Sequence, residues 1–117
     1  MAETLIPEGV ARNPVNGLRV RLGHNRETLA GAKTLVPQDA QFQNLNPNGV
    51  ARVVTMPDVG ASQGLFFLIA NIGGSGSALT ITHAASSLSD TLANNRVSIY
   101  ACDGSTWVNV SGIITFA

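Results

Sequence analysis

The chain has 117 residues, of which 44% are hydrophobic and only 12% charged, with seven basic and seven acidic residues. That length fits one domain, and 12% charge is about half the ordinary globular level of ~25%. Balanced charge excludes the strongly basic footprint of a nucleic-acid binder, no apolar run approaches the ~20 residues of a membrane-spanning helix, and the single cysteine, Cys102, excludes an intrachain disulfide framework.

The first nine residues, MAETLIPEG, lack a cationic start followed by an apolar run, so no secretory signal is expected. Residues 1–16 carry Pro7, Gly9 and Pro14 with no sustained periodicity, and read as an extended N-terminal arm ahead of a domain spanning 17–117. The stretch from Gly9 to Lys33 is the most basic, with Arg12, Arg19, Arg21, Arg26 and Lys33 against Glu27 alone. Of these, Arg12, Arg19 and Arg21 are candidate contacts to an acidic protein partner, because charge at a rim adds on-rate and orientation.

Leu18, Val20 and Leu22 alternate with arginines as a half-buried strand does. Thr28–Val36 is a weaker strand candidate closed by Pro37, and Gln41–Leu45 a short one before the turn Asn46-Pro47-Asn48-Gly49. Val50–Met56 ends at Pro57, which lacks a ladder donor. Leu65–Ile72 is apolar at successive positions, where a half-exposed strand would alternate. Its second side should therefore also meet protein. Phe66 and Leu68 are the candidate contact residues on that side, and a second copy of the chain is the expected partner.

GGSGS, residues 73–77, reads as a hairpin loop before the alternating strand ALTITH; a phosphate-binding loop would have to open a helix instead. Residues 84–95 read as a loop with one edge strand, Arg96–Ala101 as a strand, Thr106–Val110 as its return after Asp103-Gly104, and Ile113–Phe116 as the last. No internal repeat points to a solenoid. About eight strands at a spacing near ten residues indicate an all-β sandwich, jelly roll or barrel. The nominated core is Leu18, Val20, Leu65, Phe67, Ile69, Leu79, Ile81, Val97, Ile99 and Val108.

No chemistry-bearing constellation emerges. His24 and His83 form no short-spaced ligand pair for a metal, and no nucleophile elbow of the Gly-x-Ser-x-Gly type is present. His83 reads as a core or interface histidine, Cys102 as a small buried hydrophobe, and Trp107 as a residue packed across the sheet. The chain is expected to have no catalytic residues, no metal and no cofactor.

Taken in order, Thr34-Leu35, Asn46-Pro47-Asn48-Gly49, Val54-Thr55-Met56-Pro57, Asn71-Ile72-Gly73, Leu79-Thr80-Ile81 and Asp103-Gly104-Ser105-Thr106-Trp107 form a pattern over about residues 27–110. That pattern resembles small virion structural proteins of tailed bacteriophages, the capsid decoration (cement) proteins and head- or tail-fibre modules. It carries Asn46 where the pattern often has Asp and Met56 where it usually has Leu. The resemblance implies a single jelly-roll-like antiparallel β-sandwich forming homotrimers in preference to dimers. It implies a non-enzymatic role on the outer capsid surface, with the major capsid protein as partner, after synthesis in the host cytoplasm. The alternative it leaves is a carbohydrate- or receptor-binding module of a tail fibre.

Overall fold

The computed structural model describes residues 22–74 and 76–116, and the backbone alone of 10–13 and 17–20. The described residues are all-β: β1 (Val10–Asn13), β2 (Gly17–Val20), β3 (His24–Thr28), β4 (Lys33–Thr34), β5 (Phe42–Asn46), β6 (Arg52–Thr55), β7 (Phe66–Asn71), β8 (Leu79–His83), β9 (Leu88–Leu92), β10 (Arg96–Cys102), β11 (Trp107–Asn109) and β12 (Ile114–Thr115), with two short 3-10 turns at Val59–Ala61 and Ala84–Ser86. β1 and β2 pair antiparallel, Val10 opposite Val20. The rest of the expected arm, together with Arg21, lies outside the described residues.

Two sheets face each other. The first has the order β11-β10-β7-β5-β3, with β12 also on β10; the second has the order β4-β6-β8-β9. The expected antiparallel jelly roll is not what these strands form. β3, β5 and β7 run parallel to one another in the first sheet, and β4, β6 and β8 run parallel in the second. From β3 to β8 the chain alternates between the sheets, so each parallel crossover is a strand of the opposite sheet. Parallel neighbours need such a long return, usually supplied by a helix. The result is three stacked coils, closed at one end by antiparallel β9, β10 and β11.

The turn sequences explain the difference. Asn46-Pro47-Asn48-Gly49 adopts left-handed backbone at Asn48 (φ 64) and Gly49 (φ 78), and the Asn48 N–H donates to Asn46 Oδ1 at 2.8 Å, an Asx turn. It is a corner between sheets rather than a hairpin, and the connection from β7 to β8 likewise joins the two sheets. The two corners stack: a Cβ on Gly73 would lie 2.8 Å from Pro47 Cδ, so only glycine permits the approach. Buried Asn71 locks the upper corner. Its amide donates to the carbonyls of Ser77 and Leu92 and its Oδ1 accepts from Gly73 N–H, each at 2.9 Å.

Between the sheets, Leu45, Phe67 and Ile69 pack against Val54, Leu79 and Ile81, all fully buried. Trp107 fits beside them, its ring 5.8 Å from that of Phe67 and its Nε1–H donating to Pro57 O at 2.8 Å. Cys102 is buried too. Three core nominations reverse. Val97, Ile99 and Val108 lie on the outer side, while their neighbours Ser98, Tyr100, Cys102 and Trp107 point inward. β10 alternates two interchangeable sets, and buried Ser98 is acceptable because its hydroxyl donates to Gly112 O at 3.0 Å. Leu65 is partly buried at the core margin, and the side chains of Leu18 and Val20 lie outside the described residues.

Toward β3 and β4 the interior turns polar. Asn25 donates to Gln43 Oε1 at 2.8 Å and to Glu27 Oε1 at 3.0 Å, and Lys33 Nζ reaches the same Glu27 oxygen at 2.9 Å. Charge on an exposed edge blocks further strand addition, so the stack ends there.

Candidate interaction surface

Alternation gives each sheet an outer side, and the two differ. On the second sheet, Thr34, Thr55, Thr82 and Ser89 align across the strands, with Val53, Thr80 and Thr91 in the next row. β-Branched hydroxyl residues suit a strand and water at once. On the first sheet, one row reads Ile99, Leu68, Phe42, His24, and the next Ile114, Val97, Ala70, Asn44, Arg26. The face is apolar at β7, β10, β11 and β12, mixed at β5, where Phe42 is followed outward by Asn44, and polar at β3. Phe66 (39% exposed), Val108 (45%) and Val110 (58%) extend it.

Phe66 and Leu68 thus lie on the outer side of β7, where the two-sided apolarity of Leu65–Ile72 placed them. Arg12 and Arg19 fall on β1 and β2, whose backbone alone is described, and Arg21 lies outside. The side chains of these three arginines lie outside the described residues. The face carries Arg26, together with Phe42, Ala70, Val97 and Phe116, none of which the sequence reading named as a contact residue. The alternation Phe42-Gln43-Asn44-Leu45 carried the signal, with Gln43 and Leu45 buried.

A groove of about 330 Å³ crosses this face, lined by Arg26, Phe42, Asn44, Leu68, Ala70, Ile72, Val97 and Phe116. Its floor is apolar. At one end His24 stacks against Phe42, ring centroids 4.8 Å apart, and its Nε2 lies 3.0 Å from Asn44 Nδ2. Among the described residues no acidic side chain lines the groove, and Arg26 has no ion-pair partner.

The remaining titratable groups are structural. Burial pushes the Tyr100 phenol well above its ordinary range; its hydroxyl donates to Asp90 Oδ2 at 3.0 Å, which also accepts from Asn109 at 2.8 Å, tying β9 to β10 and β11. Backbone N–H donors of Ser105 and Thr106 hold the Asp103 carboxyl below its usual value. His83 Nδ1 lies 2.8 Å from Ser86 Oγ. Among the described residues no group of three His, Cys, Asp or Glu side chains is placed to hold a metal ion, and no helix is long and apolar enough to cross a membrane.

No protein-family model matches the chain, and no curated protein is significantly similar to it.

Proposed function

We propose that the protein is a non-enzymatic virion structural protein, a capsid decoration protein that binds the outer capsid surface and ties neighbouring subunits together. The observation that carries this reading is the apolar outer face of the first sheet, opposite a threonine face that suits open water. An exposed apolar face of this extent marks a contact surface. In this reading it joins copies of the chain, three in preference to two, with Phe66 and Leu68 at the contact. The basic hairpin residues Arg12 and Arg19, with Arg21, then meet acidic groups of the major capsid protein. Many modest contacts repeated by symmetry give the shell its strength.

Trp107 and Tyr100 are buried in the core, which removes two of the aromatic rings a tail-fibre sugar platform would use. The test is sedimentation of the chain with empty, expanded phage capsids, beside a glycan array. Saturable co-sedimentation without glycan binding is the expected result. Glycan binding without capsid binding would move the protein to the fibre class.

A further inference from the structure

Asparagine followed by glycine occurs at Asn16-Gly17 and Asn48-Gly49, and aspartate followed by glycine at Asp103-Gly104. Glycine has no Cβ to crowd its own nitrogen, so that nitrogen can reach the carbonyl carbon of the preceding side chain. The two pairs among the described residues are held in opposite ways. Asp103 Oδ1 accepts from the N–H groups of Ser105 at 2.8 Å and Thr106 at 2.9 Å, and the Gly104 N–H donates to Cys102 Sγ at 3.4 Å. Electrophile and nucleophile are both engaged there. Asn48 and Gly49 are both exposed, and among the described residues neither the Asn48 side-chain amide nor the Gly49 N–H has a hydrogen-bond partner. No atom lies within 4 Å of the point where a Cβ on Gly49 would stand.

We propose that Asn48 is a site of spontaneous deamidation and that the isoaspartate it yields loosens the corner between β5 and β6. Gly49 N forms a bond to Asn48 Cγ and gives up its proton, the bond from Cγ to Nδ2 breaks, and ammonia leaves. Water then adds to either carbonyl of the cyclic imide, which opens to aspartate or isoaspartate; nothing is oxidised or reduced. To close the ring, Asn48 must leave its left-handed backbone (φ 64). Its own N–H is held to Asn46 Oδ1 at 2.8 Å, and a single exposed bond of that kind is a weak restraint.

The consequence follows from the stacking of the corners. Isoaspartate carries the main chain through Cβ, which adds a backbone bond beside a close approach: a Cβ on Gly73 would lie 2.8 Å from Pro47 Cδ. Either product also adds a negative charge to a chain of zero formal net charge. Asn48 follows the end of β5 and lies on neither outer face, so this inference depends neither on the capsid reading nor on the contact between copies.

The test incubates the full chain in mildly alkaline buffer, folded and in urea. Isoelectric focusing follows the charge, and peptide mapping with fragmentation that separates aspartate from isoaspartate gives the position. Asn16 is read on its own peptide. In the folded chain Asn48 should convert to both products while Asp103 stays unchanged, and in urea both pairs should react. Gly49→Asn keeps a residue that tolerates left-handed backbone, and should slow conversion at Asn48 by about ten-fold through the hindrance of its Cβ; the near-ultraviolet signal of Trp107 reports that this variant is folded. The purified isoaspartate form should unfold at a lower urea concentration than the parent. An Asn48 that stays intact in the folded chain while reacting in urea would overturn the proposal, as would aspartate formed without isoaspartate, the sign of direct hydrolysis. Equal conversion of Asp103 in the folded chain would overturn the role given to the hydrogen bonds, and an unchanged urea midpoint would overturn the loosening of the corner.

Discussion

The two outer faces of this sandwich are built on the same backbone geometry and carry opposite chemistry. Across β4, β6, β8 and β9 the outward positions are threonine and serine with one valine, Val53. Across β7, β10 and β12 they are leucine, isoleucine, valine and phenylalanine with two alanines, Ala70 and Ala101. Both faces are almost free of charge, so charge does not distinguish them. What differs is the ability to meet water: a threonine row is hydroxyl-covered, whereas each outward Leu or Ile left uncovered forgoes about 1.5–3 kcal/mol of burial. One face is finished as a surface, and the other, in the proposed reading, is finished by a partner.

The largest effect that tests this division separates the two sides of a single strand. Phe67 is fully buried and Phe66 is 39% exposed, although they are adjacent on β7. Phe67→Ala should destabilise the fold by about 3–5 kcal/mol, whereas Phe66→Ala should change it by less than about 1 kcal/mol. Urea unfolding followed at Trp107 measures both. Similar losses for the two would mean that the outer face belongs to the folding core and needs no partner.

A second test addresses the stacking that creates both faces. Asn71→Ala leaves the Ser77 and Leu92 carbonyls and the Gly73 N–H without their partner, and a buried unsatisfied group costs about 1–3 kcal/mol. Gly73→Ala should add to the damage by forcing Pro47 away. If both variants unfold like the parent, the coils are not held at this corner.

These two residues also show how far the sequence is legible. Strand positions follow from alternation, and the two-faced character of Leu65–Ile72 is visible in the letters and present in β7. The connections are not visible, because an Asn-Pro-Asn-Gly turn uses the same left-handed residues whether it folds a hairpin or turns a corner between sheets. Nor does a repeat betray the coils. His24, Phe42 and Leu68 are stacked in register yet lie 18 and 26 residues apart, so no period survives. On β10, Val97 and Ile99 look like core beside Ser98, but the outer face needs apolar residues for its own reasons, and Ser98 finds a buried acceptor.

The third test places one charge on each face. Val108→Glu on the first sheet should abolish self-association, and Thr91→Glu on the second should leave it unchanged, both without a change in unfolding midpoint beyond that of ordinary surface substitutions, about 0.5 kcal/mol. Sedimentation velocity at several concentrations reads the outcome. Association lost through Thr91→Glu and kept through Val108→Glu would reverse the assignment of the two faces.

The smallest effect concerns the β3–β4 end of the stack, where Glu27 meets Lys33. Glu27 is held below its ordinary value of 4.5, first by the hydrogen bond from Lys33, then by that from Asn25. A lowered folded-state value means that the folded chain prefers the ionised carboxylate. The stabilisation is complete above the ordinary carboxylate range and is lost as pH falls through the lowered value. Because the pair is largely solvated, its worth is under about 1 kcal/mol and falls with salt. Lys33→Met should therefore lower the melting temperature slightly at pH 7 and in low salt, with the difference from the parent closing as the pH approaches 3. Asp103, lowered by backbone donors that the variant keeps, contributes the same acid loss to both proteins and cancels in the comparison. Self-association should not follow this acid loss, because no described acidic side chain lines the groove of the contact face; a loss of association that tracks it would mean that the contrast between finished surface and contact surface has to be redrawn.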